Sequence, residues 1–206
     1  MPPQISSLNS AQDGEINIRI AGTGGQGVIR AGLILSEALV LEGRNVVMIQ
    51  SYGPETRGGA SRADIVVSDD EISYPGLRKI DYLVVLHYSA YREYLHVIDE
   101  KTTVLYDSSL VDAKRGFGFP FTELSVREFE SPIFANMIAV GSFCVIFGIS
   151  QDWIIEAIRK RMNRSEDNIR AFRLGLEIGG MNSAPCFTRR PQRIGHSHQT
   201  YADLKW

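Results

Sequence analysis

The sequence predicts an α/β fold of three layers with a mostly parallel sheet at its centre. Two observations predict it: apolar runs of strand length alternate with runs of helical period, and the first apolar run ends in a glycine cluster that precedes a helical run. A length of 206 residues suits one ordinary domain, and 44% hydrophobic and 22% charged residues is close to the globular average. We therefore expect one domain over residues 14–180, a disordered N-terminus over residues 1–13 and an irregular basic tail over residues 181–206.

The first strand, helix and second strand are predicted to form a Rossmann-like βαβ unit. Isoleucines alternate with polar residues over residues 16–20 and run into the glycines, which indicates a strand that ends in a tight turn. Residues 28–42 are rich in Ala, Leu and Ile and stop at Gly43, which is typical of a helix with a C-terminal glycine. Residues 46–49 are continuously apolar, which predicts a parallel strand covered on both faces.

The remaining elements continue the alternation of strands and helices. Ser131 followed by Pro132 is typical of a helix start, because serine accepts a hydrogen bond from the first turn and proline is favoured there. The helix that follows is the most apolar of the chain and is expected to fill the core. Strands are expected at residues 64–68, 82–87 and 103–106, and helices at residues 89–100, 133–148, 152–162 and 165–178.

Charge, cysteine content and hydropathy exclude several classes of protein. A net charge of −2 provides no broad basic field for nucleic acid. Two cysteines cannot supply the four thiolates that an iron–sulfur cluster generally requires. Residues 133–149 are fewer than the roughly 20 that span a bilayer, so no membrane span is expected. Residues 1–13 lack the basic and apolar segments of a secretory signal, which predicts a cytoplasmic protein.

A glycine-rich loop is the first candidate binding site. It matches the pattern G-x-G-x-x-G between a strand and a helix, where backbone N–H groups point at an anion. The second strand ends without the acidic residue that holds a ribose in dinucleotide enzymes, and no Lys-Ser/Thr pair follows the loop as in a nucleotide triphosphate site. Anion binding and close helix–strand packing both remain open as reasons for the glycines. The candidate residues are Gly22, Gly24, Gly25, Gln26 and Gly27.

The segment after the second strand, residues 50–62, is the second candidate. Open α/β sheets place ligand and partner loops at this position. Its arginines can bind a phosphate or carboxylate with two hydrogen bonds, and its Gly-Gly pair permits unusual backbone conformations. An internally paired turn is the alternative explanation. The candidate residues are Tyr52, Glu55, Arg57, Gly58, Gly59 and Arg62.

No catalytic residue and no metal site are predicted. His87 at a strand end is expected to be a hydrogen-bonded structural residue rather than a base. His196 and His198 lack cysteine or acidic neighbours at metal-binding spacing. Cys144 lies in the apolar helix, where a thiol behaves as a small hydrophobic group.

Together and in this order, the two motifs resemble the gamma subunit of 2-oxoacid:ferredoxin oxidoreductases. They read IRIAGTGGQGVIRAGLILSEAL and SYGPETRGGASRADIVVSDDEI, and the resemblance covers about residues 17–179. ETRGGAS is more similar to the 2-oxoglutarate type than to the pyruvate type, which often reads ERRGAPV, although Thr56 replaces an alanine common in the former. Later positions that look family-like are Asn136, Met137, Gly141, Asn168, Ala171, Phe172 and Gly175.

The resemblance implies a subunit that is inactive alone. The family oxidises a 2-oxoacid, here 2-oxoglutarate, with coenzyme A to its acyl-CoA, here succinyl-CoA, and CO2. Thiamine diphosphate, Mg²⁺ and iron–sulfur clusters would be held by partners: the alpha and beta thiamine-binding subunits and a ferredoxin-like delta subunit, with ferredoxin as electron acceptor. The glycine loop, with Arg57 or Arg62, would face a phosphate of coenzyme A or a carboxylate of a partner chain.

Three alternatives stay open at this point. A related complex could act on pyruvate, branched-chain, aryl-pyruvate or aryl-glyoxylate substrates. The glycine loop alone is also compatible with a stand-alone NAD(P)-dependent oxidoreductase. The two motifs could instead build only an interface in a non-catalytic scaffold.

Overall fold

The computed structural model describes residues 14–52 and 60–182. The expected N-terminus at residues 1–13 and most of the expected tail, residues 183–206, lie outside these ranges. The strands are β1 (Glu15–Gly22), β2 (Asn45–Ser51), β3 (Ser61–Ser68), β4 (Tyr82–Val85), β5 (Thr103–Asp107) and β6 (Phe117–Phe119). The helices are α1 (Val28–Leu41), α2 (Tyr88–Tyr94), α3 (Phe121–Phe129), α4 (Ala135–Phe147), α5 (Gln151–Arg161) and α6 (Ser165–Asn182).

The strands form one sheet in the order β2-β3-β1-β4-β5-β6. β1, β4, β5 and β6 pair in parallel, whereas β3 runs antiparallel to both of its neighbours, β1 and β2. β2 therefore points the same way as β1, and the prediction of a mostly parallel α/β sheet is confirmed. β1, α1 and β2 follow one another as in the predicted βαβ unit, but β3 lies between the two strands of that unit.

Helices cover both faces of the sheet, as expected for three layers. Alternate residues of β1 point to opposite faces because side chains alternate along a strand. Ile18 and Ile20 join the main core with α1 and α4, whereas Ala21 joins a second core with α2 and with Leu83 and Val85 of β4. The helical layer on this second face is thin, since α2 has only seven residues.

β2 differs from the prediction that it is covered on both faces. None of its residues is buried, and the side chain of Ile49 is 40% exposed. The prediction was wrong because β3 inserts next to β1 and displaces β2 to the edge of the sheet. A short apolar run reads the same for an edge strand and for a central one.

Other boundaries shift where local signals are weak. The helix expected at residues 89–100 ends at Tyr94 and continues as a single 3₁₀ turn, Leu95–Val97. The helix expected from residue 133 begins as the 3₁₀ turn Pro132–Phe134, with the Ser131 side chain accepting from the N–H of Ile133. β6 and α3 were not predicted, because a strand of three residues and a helix without a capping side chain leave little pattern in the sequence.

α4 and α6 cross at very close range. A side chain at Gly141 would clash with the carbonyl oxygen of Phe172, and one at Gly175 would clash with that of Ile138. The Ser142 hydroxyl donates a 2.9 Å hydrogen bond to the carbonyl of Gly175. The family-like positions at 141, 172 and 175 therefore serve this helix packing. None of the described helices combines the length and hydropathy that crossing a bilayer requires.

Candidate functional site

The two predicted motifs meet at one edge of the sheet. β1 ends at Gly22 and leads into the glycine loop, while β2 ends at Ser51 and β3 begins at Ser61. Gly22 lies opposite Ser61, and Ser51 lies opposite Arg62. Both ends of the second motif therefore lie beside the glycine loop, at the carboxyl ends of the parallel strands, where open α/β sheets bind ligands.

Gln26 holds the glycine loop from inside. Its Oε1 accepts hydrogen bonds from the backbone N–H of Thr23 at 2.8 Å and from the Thr23 hydroxyl at 3.1 Å. Its Nε2 donates to the carbonyl of Leu86, just after β4, at 2.8 Å. The side chain thus links the loop after β1 to the end of the neighbouring strand.

The glycines of the loop have different roles. A side chain at Gly22 would lie 2.6 Å from Oε1 of Gln26, and one at Gly27, where φ is +73°, would overlap the Asn136 amide. Gly24 and Gly25 are exposed, and a side chain at either would meet nothing within 4 Å. Gly25 has a φ of +88°, whereas Gly24 is not in the left-handed region. Gly24 is therefore the loop glycine that neither packing nor backbone conformation within the described chain requires.

Two helix N-termini meet beside this loop. α1 begins at Val28, directly after the loop, and α4 begins at Ala135. The Nδ2 of Asn136, in the first turn of α4, donates to the carbonyl of Gly27 at 3.2 Å. Because the N-terminal end of a helix carries a partial positive charge, this arrangement favours a negatively charged group at the exposed loop.

The structure describes the second motif at its two ends, up to Tyr52 and from Ala60. Glu55, Arg57, Gly58 and Gly59 lie outside the described residues. Tyr52, the last described residue before that gap, is 66% exposed. On the far side of the gap, the N–H of Ala60 donates to the Glu93 carboxylate at 3.2 Å, so α2 fixes the point at which the segment enters β3.

Arg62 is paired within the chain. Its Nε lies 3.4 Å from Asp64, a carboxylate that also accepts two hydrogen bonds from Arg19, at 2.6 and 2.7 Å. The Arg19 guanidinium stacks over the Tyr94 ring at 4.6 Å. The Tyr94 hydroxyl beside Arg62 raises the pKa of Arg62, and burial raises the pKa of Tyr94. Arg62 is therefore engaged within the chain, although its side chain is still 37% exposed.

Several residues that organise this edge of the sheet were not predicted from the sequence. Their signal was weak: Arg19 and Asp64 are charged positions inside apolar strands, and only the register between β1 and β3 pairs them. Asn136 was singled out for family likeness alone. The missed residues are Arg19, Asp64, Glu93 and Tyr94.

The other conspicuous side chains have structural roles. His87 caps α2, where its Nδ1 accepts from the N–H of Ser89 at 3.2 Å, as expected. Burial raises the pKa of the Cys144 thiol, so it stays protonated and unreactive. Asp107, fully buried at the end of β5, accepts hydrogen bonds from Ser109 and from the first turn of α3 at Thr122. No group of three or more potential ligands for a metal ion occurs among the residues that the structure describes.

A comparison with known protein families decides the identity of this fold. Residues 17–178 match the family described as pyruvate ferredoxin/flavodoxin oxidoreductase. The chain belongs to this family. The match includes both motifs and reaches into the last helix, α6. It confirms the resemblance that the two motifs indicated.

Individual relatives agree with the family assignment. Over 171 residues the chain is 62% identical to the 2-oxoglutarate synthase subunit KorC of Archaeoglobus fulgidus, which spans 83% of this chain and 91% of that one. The keto/oxoacid ferredoxin oxidoreductase gamma subunit of Geobacter sulfurreducens is 31% identical, with a TM-score of 0.69 over 81% of this chain and 99% of that one. The chain is thus a gamma-type subunit of an oxidoreductase complex.

A larger protein contains the same fold. The 2-oxoglutarate:ferredoxin oxidoreductase of Magnetococcus marinus, solved with 2-oxoglutarate, coenzyme A and succinyl-CoA bound, matches with a TM-score of 0.72 at 23% identity. The match covers 82% of this chain but 32% of that one. In that protein the equivalent fold is therefore about one third of a longer polypeptide.

Proposed function

We propose that this chain is the gamma subunit of a complex that oxidises 2-oxoglutarate with coenzyme A to succinyl-CoA and CO2 and reduces ferredoxin. The observation that carries the proposal is the 62% identity to a 2-oxoglutarate synthase subunit over almost all of the domain. The second motif, ETRGGAS, supports the same substrate class. The complex is proposed to work in the cytoplasm, and the working domain is proposed to be residues 14–180.

The redox and acid–base chemistry belongs to other subunits. The chain has two cysteines in all, and Cys144 is buried in α4, so its donor set does not fit an iron–sulfur cluster. His87 and Asp107, the polar residues at the ends of β4 and β5, are committed to internal hydrogen bonds. Thiamine diphosphate, Mg²⁺ and the clusters are therefore proposed to lie on alpha, beta and ferredoxin-like delta subunits.

The part of this chain that faces the shared site is proposed to be the exposed glycine loop. Gly24 leaves open space where a side chain would stand, and two helix N-termini favour an anion nearby. A phosphate of coenzyme A or a carboxylate of a partner chain meets both conditions. Arg57 is the cation proposed to complete the contact, since Arg62 already pairs with Asp64.

The proposal of a partner with a complementary surface is supported by the Magnetococcus relative. There the equivalent fold is joined to a further two thirds of chain, so neighbours that are separate subunits here can be parts of one polypeptide. The thiamine-binding alpha and beta subunits are the proposed neighbours of this chain.

A substrate panel tests the proposed function. The full-length chain carries a tag and is purified with its companions, which mass spectrometry identifies. Reduction of ferredoxin is then measured with 2-oxoglutarate, pyruvate, 2-oxoisovalerate and phenylglyoxylate at saturating coenzyme A. We expect kcat/KM for 2-oxoglutarate to exceed the others by about tenfold or more. A higher value for another oxoacid, or a companion set without a thiamine-binding subunit, contradicts the proposal.

The Arg57→Ala variant tests the contact with coenzyme A. In the assembled complex, loss of a charge-assisted hydrogen bond is expected to raise KM for coenzyme A roughly tenfold with kcat nearly unchanged, because the phosphate is remote from the reacting atoms. Arg159→Ala, at an exposed position of α5, is the matched control. An unchanged KM in an intact complex would leave the carboxylate of a partner chain as the anion at the loop.

The stand-alone NAD(P) enzyme is disfavoured by geometry. The Gln26 side chain occupies the space between the ends of β1 and β4, and β2 ends at Ser51 without an acidic residue. Titration of the full-length chain with NADH, followed by fluorescence, is expected to detect no saturable binding. Saturable binding in the micromolar range would favour the dinucleotide enzyme instead.

A further inference from the structure

Gln26 lies between the ends of β1 and β4, where the strand order of this open α/β sheet reverses. β1 connects through α1 to the strands on one side of it, and β4 connects through α2 to β5 on the other side. A crevice normally opens between two such strands at their carboxyl ends and receives the ligand. Here the Gln26 amide bridges the two strand ends by bonding Thr23 on one side and Leu86 on the other.

Both ends of the Gln26 side-chain amide are hydrogen-bonded within the chain. Oε1 accepts two hydrogen bonds and Nε2 donates one, at 2.8, 3.1 and 2.8 Å. A side chain at Gly22 would stand 2.6 Å from Oε1, so the glycine at the strand end makes room for this amide. The outer part of the loop, Gly24 and Gly25, stays exposed.

We propose that Gln26 is a positioning residue: its side-chain amide closes the crevice between β1 and β4 and fixes the loop so that an anionic group binds on the outside, at Gly24 and Gly25. The hydrogen bond to the N–H of Thr23 determines the direction of the peptide that enters the exposed turn. The bond to Leu86 ties that turn to the sheet. The closure does not rest on the proposed function, whereas the anion is taken from it: of the two anions proposed there, this inference commits to a phosphate of coenzyme A.

The closure is tested without reference to function. In the full-length chain, Gln26→Met keeps the length of the side chain and removes its three hydrogen bonds. Hydrogen exchange of the Thr23 amide, which donates to Oε1, is expected to become about tenfold faster or more, because its acceptor is lost. Gln151→Ala, at the exposed start of α5, is the control and leaves the Thr23 amide unchanged. An unchanged rate in Gln26→Met overturns the closure.

The positioning role is tested in the assembled complex. Gln26→Met is expected to raise KM for coenzyme A about tenfold, corresponding to roughly 1.4 kcal/mol, with kcat within about twofold. Gln26→Glu retains the acceptor for Thr23 but places a negative charge under the loop and loses the donor to Leu86, so its KM should rise further. A fall in the melting temperature with KM unchanged means that Gln26 is structural only and overturns the proposal.

The two proposals fail in different ways. KM for coenzyme A is measured with whichever 2-oxoacid the complex prefers, so a different substrate overturns the proposed function and leaves the Gln26 experiment intact. If Gln26→Met does not assemble, Gln26→Glu supplies the KM comparison. Equal KM values for Gln26→Glu and the unaltered complex also overturn the positioning role.

Discussion

Single residues of the glycine loop separate into those that the fold needs and one that it does not. Gly22 and Gly27 make room for Gln26 and Asn136. Gly24 faces open space with an ordinary backbone conformation. Since the described chain does not require a glycine at this position, we expect the open space at Gly24 to accommodate a group that approaches the loop in the complex.

Gly24→Ala is therefore expected to spare the chain and impair the complex. The melting temperature of the isolated chain should stay unchanged or rise by up to about 4 °C, because the added methyl group meets nothing and restricts the unfolded state. In the complex, KM for coenzyme A or the affinity for the partner subunit should worsen about tenfold, because the methyl group stands in the approach path. Calorimetry and steady-state kinetics measure the two effects.

Gly27→Ala is the contrasting control for that experiment. It combines a φ of +73° with an overlap against the Asn136 amide, so it should destabilise the isolated chain by about 1–3 kcal/mol. If Gly24→Ala instead lowers stability as much as Gly27→Ala and leaves the kinetics alone, the loop glycines serve only packing.

The pair formed by Arg19 and Asp64 gives a second prediction at this scale. Both side chains are largely buried, at 12% and 8% exposure. Asp64→Ala leaves the Arg19 charge buried without its carboxylate, which should cost about 3–5 kcal/mol of the free energy of unfolding in urea denaturation. Glu128→Ala, which breaks an exposed pair with Arg127, should cost less than about 1 kcal/mol. Similar losses for both variants would contradict this account of the cluster.

The glycine loop could be predicted from the sequence, but the hydrogen bonds that hold it could not. The spacing of glycines between a strand and a helix located residues 22–27 directly. The partner of Gln26, Leu86, is 60 positions away, and the partner of Arg19, Asp64, is 45 away. Such pairs depend on strand order and register, which composition and local period do not encode.

At the scale of elements, α1 and α5 are joined by one carboxylate and two cations. Glu37 accepts hydrogen bonds from Lys160 at 2.5 Å and from Arg161 at 2.5 and 3.0 Å. The hydrogen bond from Lys160, followed by that from Arg161, lowers the pKa of Glu37 below its usual value of 4.5. The two cations are more than half exposed, so solvent screening keeps the contribution near 1 kcal/mol.

This pairing predicts a pH dependence of stability. A lowered pKa in the folded state means that the stabilisation is complete above the unfolded pKa and is lost as the pH falls through the folded one. Glu37→Gln should therefore be less stable than the unaltered chain at pH 7, and the difference should shrink as the pH falls below about 4.5. Urea denaturation at several pH values measures the difference. A gap that is constant from pH 7 to pH 3 would contradict the pairing.

The elements themselves were largely predictable because their patterns are local. β1, α1, α5 and α6 appear near their expected bounds. The direction of β3 was not predictable, since Ile65, Val66 and Val67 read alike in a parallel and an antiparallel strand. Its insertion beside β1 is also the reason why β2 lies at the edge.

On the scale of the whole molecule, we propose that the chain contributes a shaped surface to the complex. The carboxyl edge of its sheet carries an exposed glycine turn, two helix N-termini and the attachment points of a second motif. The polar side chains around that edge, His87, Arg62 and Asp107, are engaged with their own fold. The proposed function therefore requires neighbours that supply the cofactors.

Reconstitution tests this account most directly. Ferredoxin reduction with 2-oxoglutarate and coenzyme A is measured for this chain alone, for the companion subunits alone and for the two recombined. We predict no turnover by this chain, a rate for the companions alone at least about tenfold below that of the complex, and recovery of the full rate on recombination. Turnover by the isolated chain, or a full rate from the companions without it, would contradict the account.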